Sequence, residues 1–137
     1  MPANFMMSLQ RAIQKQSWGQ TAWLSGPEAT GAKDLAIIEV KLEKDGGHSF
    51  HYHPEQEELI YVISGKIEQW LERESRVLGP GDAIFIPRAT VHASFNIFSE
   101  TAHVLAILGP CAGASGYEVV DVFEQAPWKQ LKERAHA

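Results

Sequence analysis

The sequence predicts an all-β protein, a sandwich or barrel of antiparallel sheets. Three observations carry that reading. Short runs rich in β-branched and aromatic residues recur along the chain, each ended by Gly, Pro, Asp or Asn. The runs follow one another too closely for helical crossovers to fit between them, so βαβ units are excluded. The chain has 137 residues, of which 45% are apolar, enough for one domain with its own core and too few for two.

The elements are taken in chain order. In residues 8–16, SLQRAIQKQ, Leu9, Ala12 and Ile13 share one helical face, which predicts a short helix. That helix belongs to an N-terminal arm over 1–18, ahead of a barrel over 19–125 and a C-terminal helix and tail over 126–137. Strands are expected over 20–24, 35–42, 49–53, 58–63, 66–72, 76–78, 83–86, 93–98 and 102–108. The stretch YEVVDVF, 117–123, is expected to add an edge strand, for a total of six to ten. Ser25-Gly26-Pro27 ends the first run, and Asp45-Gly46-Gly47 precedes a histidine-rich one. Ser64-Gly65 reads as a tight turn, and Gly79-Pro80-Gly81-Asp82 as a stronger one, because Pro fixes φ and Gly accepts positive φ. Ala126-Pro127-Trp128 then opens a helix through Glu133, with Pro in the first turn. Trp128 and Leu131, three apart, anchor it to the sheets.

Composition narrows the function classes. The formal net charge is −5 and the 12 basic residues are scattered, so no nucleic-acid footprint is present. No apolar run approaches the roughly 18 residues that would cross a bilayer. The N-terminal MPANFMMSLQRAIQKQ lacks the pattern of a signal peptide, and a cytoplasmic protein with no membrane partner is expected. Cys111 is the single cysteine, so no internal disulfide forms; it reads as a small residue at a strand end.

The chemistry concentrates in GHSFHYHPEQEELIYVISG, residues 47–65. In a strand, residues i and i+2 share a face, so His51 and His53 project together with Cα atoms about 6–7 Å apart. Two imidazoles at that separation can converge on one ion. Pro54 ends the strand, the chain turns through Glu55-Gln56-Glu57, and Glu58 opens the return strand within reach of the same point. His92, at the start of a later strand, is the candidate fourth ligand, since an imidazole buried without a partner is unfavourable. Three imidazoles and a carboxylate suit Fe, Mn, Ni, Zn or Cu. His48, beside Gly47, reads as a surface turn residue, and His136 as a solvated tail residue. Glu55 and Glu57 are expected to face water and Trp70 to be core. His103 reads as a satisfied structural histidine. With Tyr61 and Gln69 it is also a candidate acid–base group, and the pattern assigns none of the three a face.

The two histidine stretches resemble the cupin family. Its first motif runs glycine, five residues, HxH, three or four residues, glutamate, six residues, glycine. His51-Tyr52-His53, Glu58 and Gly65 match it, and choosing Glu57 would leave seven residues before Gly65. The first glycine is replaced by Asp45, with Gly46 and Gly47 following. The second motif runs glycine, five residues, PxG, two residues, histidine, three residues, asparagine. Gly81, Pro87, His92 and Asn96 match it, with Ala89 in place of the second glycine. The fifteen residues between Gly65 and Gly81 are similar to the short spacing of small microbial cupins.

The resemblance implies a cupin-type antiparallel double-sheet β-barrel, or jelly roll, over roughly 19–125, with one divalent metal held by His51, His53, Glu58 and His92. It implies little about substrate, because the fold hosts many functions. Three histidines and one carboxylate leave coordination positions open, as catalytic sites do. Dioxygenase-type oxidation of a small molecule is the favoured expectation. Non-oxidative isomerase- or epimerase-like chemistry, or binding of a sugar or organic acid without turnover, is the alternative. The resemblance further implies a homodimer, pairing through the arm with Trp18 and Trp23 or through YEVVDVF.

Overall fold

The computed structural model describes residues 4–135, and His136 lies outside the described residues. Eleven strands and one helix follow in order: β1 (Ile13–Gln16), β2 (Gly19–Ser25), β3 (Ala36–Leu42), β4 (Gly47–Tyr52), β5 (Glu57–Ser64), β6 (Ile67–Leu71), β7 (Glu74–Leu78), β8 (Ala83–Ile86), β9 (His92–Phe95), β10 (Ala102–Gly109), β11 (Val120–Asp121) and α1 (Trp128–Ala135). They form two antiparallel sheets, β1-β2-β3-β10-β5-β8 and β11-β4-β9-β6-β7. This is the expected double-sheet barrel with a short C-terminal helix.

Period-2 alternation decides what faces inward. On β10, Ala102, Val104, Ala106 and Leu108 are buried, and each residue between them is more exposed. On β5, Glu58, Ile60 and Val62 are buried between exposed neighbours. Leu42, Ile60, Val62, Ile67, Ile86 and Val104 pack together as the barrel interior. The turn at Gly65 holds φ at 74°, and a Cβ there would lie 2.6 Å from the Thr101 carbonyl oxygen. Only glycine fits such an approach.

A second core lies on the other face of the five-stranded sheet. Phe50, Trp70, Ala93, Phe95 and Val122 are buried there, with Trp128 and Leu131 of α1 packed over them. Phe50 meets Trp70 and Phe95 edge-on, at centroid distances of 5.7 and 5.9 Å. Full burial of an aromatic such as Phe50 stabilises by about 1.5–3 kcal/mol. The helix is therefore a lid on this face, anchored by the two residues that the sequence picks out.

Three expectations change. The helix over 8–16 does not form: Ile13–Gln16 is a strand that pairs with Gly19–Ala22 in a hairpin. Leu9 is 98% exposed, so a helical apolar face would have had nothing to cover. This hairpin strand takes the count to eleven. Of the segments expected to pair across a dimer, β11 is the edge strand of its sheet, as expected, and the two tryptophans turn inward. Trp18 lines the interior cavity, Trp23 packs against Tyr117, and β11 pairs with β4 of its own chain. No helix among the described residues is long and apolar enough to cross a membrane.

Candidate metal centre

The site is built on three strands. His51 lies on β4 and His53 just beyond it, Glu58 is the second residue of β5, and His92 opens β9. His51 pairs directly with His92, which places both rings on one face. Ala89, before β9, donates its N–H to the His53 carbonyl at 2.9 Å and ties the two motifs together. One ligand-type atom from each of His51, His53, Glu58 and His92 lies within 4.8 Å of all the others, and all four residues are buried. The structure thus brings together the four residues that the sequence selects.

The hydrogen bonds fix the chemistry of these groups. Nδ1 of His51 lies 2.6 Å from the Ser49 carbonyl, Nδ1 of His53 2.8 Å from that of Glu118, and Nδ1 of His92 2.9 Å from that of Thr90. A carbonyl only accepts, so Nδ1 carries the proton and Nε2 of each neutral ring is an acceptor. Glu58 Oε1 then sits 2.9 Å from His92 Nε2 and 3.2 Å from His53 Nε2. These three atoms are buried without a hydrogen-bond donor. Acceptors facing acceptors in a low-dielectric interior repel one another. A cation between them removes the conflict, and the carbonyl-anchored rings are the usual outer support of metal-bound histidines. The donor set therefore fits a divalent ion.

With no ion between them, a proton on Nε2 of His53 or His92 would bridge to Glu58, and these contacts, outweighing burial, hold its carboxyl well below the usual carboxylate range. Burial pushes His51 well below the ordinary imidazole value, and the neighbouring His48 and His92 add to the effect. For His53 burial lowers, but Glu58 and the Glu118 carbonyl raise, and the result is a raised value.

All four residues reach the wall of an interior cavity of about 240 Å³. Its other walls are largely apolar, from residues such as Ile38, Val40, Ile60 and Val104. His48 also lines it; it is exposed, as its surface reading expects, but it stands on strand β4 and not in a turn. One extra residue on β4 between His48 and His51 forms a bulge against β9. The bulge turns His48 to the cavity side, where its ring stacks on His51 at 3.5 Å. His48 keeps an exposed surface, and the protein packed around its ring lowers its pKa to about 4, chiefly by desolvation.

Of the candidate acid–base groups, none lines the cavity. Tyr61 is exposed on the outer face of β5. His103 lies on the outer face of β10, 2.9 Å from Glu39, which also binds Arg11. Gln69 is buried and accepts a 2.6 Å hydrogen bond from Ser94. Two contributors escaped the sequence reading. Tyr117 lines the cavity next to His53, with ring centroids 5.9 Å apart. Gln56 is 1% exposed; its amide donates to the carbonyls of Pro110 and Gly116, and its carbonyl accepts from the N–H of Glu118. It thereby holds the carbonyl that orients His53. Alternation between the exposed Glu55 and Glu57 was a usable signal for Gln56.

The family model for the cupin domain matches residues 38–108, which include all four candidate ligands. The chain belongs to the cupin family. Among curated proteins, this cupin is 36% identical over 64 residues to the polyketide synthase CurC of Streptomyces cyaneus, across 47% of this chain and 42% of that protein. It is 32% identical over 60 residues to the quercetin 2,3-dioxygenase of Bacillus subtilis (strain 168), across 44% of this chain and 18% of the enzyme. The chain spans about half or less of the length of these relatives. Among solved structures, the polyketide cyclase RemF from Streptomyces resistomycificus superposes with a TM-score of 0.74 at 22% identity, covering 98% of this chain and 96% of RemF. That likeness establishes the shared fold.

Proposed function

We propose that this cupin is a mononuclear metal enzyme for a small, partly apolar molecule that chelates through oxygen. His51, His53, Glu58 and His92 are the ligands, and dioxygenase-type oxidation is the reaction class. The observation that carries the reading is the position of the four groups in a cavity wall. Structural metal sites are closed by protein, whereas catalytic ones keep a position open.

When bound, an Fe, Mn, Ni, Zn or Cu ion supplies Lewis-acid polarisation of a substrate oxygen, and iron adds redox chemistry. The chain supplies the rest. The carbonyls of Ser49, Glu118 and Thr90 fix the imidazole rings. The apolar walls exclude water, which strengthens polarisation at the site. His48 and Tyr117 stand on the cavity wall where a ligand's polar atoms can meet them. Similarity to a protein named as a quercetin dioxygenase supports oxidation.

A second reading is non-oxidative: isomerase- or epimerase-like turnover, or capture of a sugar or organic acid without turnover. Similarity to CurC, named as a polyketide synthase, favours it. Oxygen uptake separates the two. Oxidation predicts that iron-loaded protein consumes oxygen with a diketone, phenolic or thiol substrate and that His92→Ala does not. Iron-loaded protein that binds such a molecule without consuming oxygen supports the second reading.

The working form is a homodimer in this proposal. Leu59, Tyr61 and Ile63 on β5 and Phe85 on β8 are exposed together on the outer face of the six-stranded sheet. With the edge strand β11 they are the surfaces open to a second copy.

A further inference from the structure

Ser94 stands on the cavity wall, two residues beyond the candidate ligand His92 on β9. Residues i and i+2 share a strand face, so its side chain points inward with the His92 ring, their Cα atoms about 6–7 Å apart. Its hydroxyl proton is already committed. Gln69, its cross-strand partner on β6, is buried and stands outside the cavity wall. Ser94 Oγ donates to Gln69 Oε1 at 2.6 Å. The other end of the amide fixes the direction of that bond, because Gln69 Nε2 donates to the Trp70 carbonyl at 3.1 Å. Turning the amide over would set its oxygen against that carbonyl, two acceptors with no donor between them. His48, which pairs with Ser94 from β4, stacks on His51 instead. Neither it nor any other described residue donates to the Ser94 hydroxyl.

A serine hydroxyl has one proton and two lone-pair sites. With the proton held by a buried amide, Ser94 offers the cavity lone pairs alone. It accepts from a ligand and does not donate to one. A ligand donor placed there gains a hydrogen bond. A carbonyl, nitrile or ether placed there meets like polarity in a low-dielectric wall and loses its hydration without replacement. We propose that Ser94 sets specificity at a second point of the cavity: among ligands held by chelation, it selects those carrying a hydroxyl or N–H donor remote from the chelating atoms. Gln69 is the positioning residue, because it takes the proton that would otherwise let Ser94 turn and serve acceptors as well.

This inference rests on the metal reading above, and its test separates the two. Cobalt(II)-loaded protein is titrated with meta- and para-hydroxybenzoate and with the near-isosteric meta- and para-fluorobenzoate, following the visible spectrum of the metal. The carboxylate chelates in every case, and only the hydroxyl donates. At one ring position or both, the hydroxybenzoate is expected to bind about tenfold more tightly than its fluoro counterpart. Ser94→Ala is expected to remove that preference and to leave fluorobenzoate affinity unchanged. Gln69→Leu gives an independent readout. It frees the Ser94 proton, so the cyanobenzoate substituted at the same ring position, whose nitrile only accepts, is expected to bind several-fold more tightly than to the wild type. Loosened packing alone would not produce that gain. Three results overturn the inference and leave the metal reading intact: cobalt-loaded wild type that binds hydroxybenzoates no better than fluorobenzoates, Ser94→Ala that keeps the preference, or Gln69→Leu without the gain. Protein that takes up no cobalt overturns both.

Discussion

Glu57 and Glu58 are neighbours in sequence and sit on opposite faces of β5, one exposed and one buried. A one-residue register error would exchange them. Glu58→Gln is expected to weaken metal affinity by at least about 100-fold, beyond the effect of losing an outer-shell partner, and Glu57→Gln to leave it unchanged. Isothermal titration with a divalent metal checks both. Two departures from the cupin pattern also become legible at this scale. Asp45 and Ala89, which stand where the motifs carry glycine, hold φ at 67° and 56°. Asp tolerates that region and Ala does so at a cost. Ala89→Gly is therefore expected to stabilise the protein by about 0.5–1 kcal/mol, seen as a raised thermal midpoint. His51 gives a pH dependence. Its folded pKa is lowered from 6.5, so the unfolded chain binds the proton first. Its contribution to stability is full above pH 6.5 and is lost as pH falls below it. The urea midpoint of chelator-treated protein should drop between pH 7 and pH 5, and drop less in His51→Gln.

At the level of elements, the strands were legible because alternation and turn residues mark them independently of the rest of the fold. The N-terminal hairpin was not, since SLQRAIQKQ satisfies a helical period over too few residues to exclude a strand, and pairing with β2 decides the matter. The bulge in β4 was equally hidden: strict alternation puts His48 opposite His51, and one unpaired residue reverses that. Gln56 links an element to the site. Its side chain bridges the turn before β5 and the loop over 110–118, against which His53 is held. Gln56→Leu leaves two carbonyls and one N–H without their partner. It is expected to cost about 2 kcal/mol or more in chemical denaturation and to weaken metal binding although it removes no ligand.

For the molecule as a whole, the double-sheet barrel and the four converging side chains could be read from two spaced motifs, because that spacing only works if the strands return to one point. Cavity contents could not, since Trp18, His48 and Tyr117 reach it through a hairpin, a bulge and a loop. The outer apolar face predicts a sedimenting species of twice 15.2 kDa, reduced to the single-chain mass by Phe85→Glu. The account stands or falls, however, on the ion. Wild-type protein and the His51→Ala and His92→Ala variants are equilibrated with excess divalent metal, freed of unbound ion, and measured by elemental analysis. The account predicts about one ion per chain in the wild type and a small fraction of one in each variant. Wild-type protein that keeps no metal, or variants that keep a full equivalent, would contradict it.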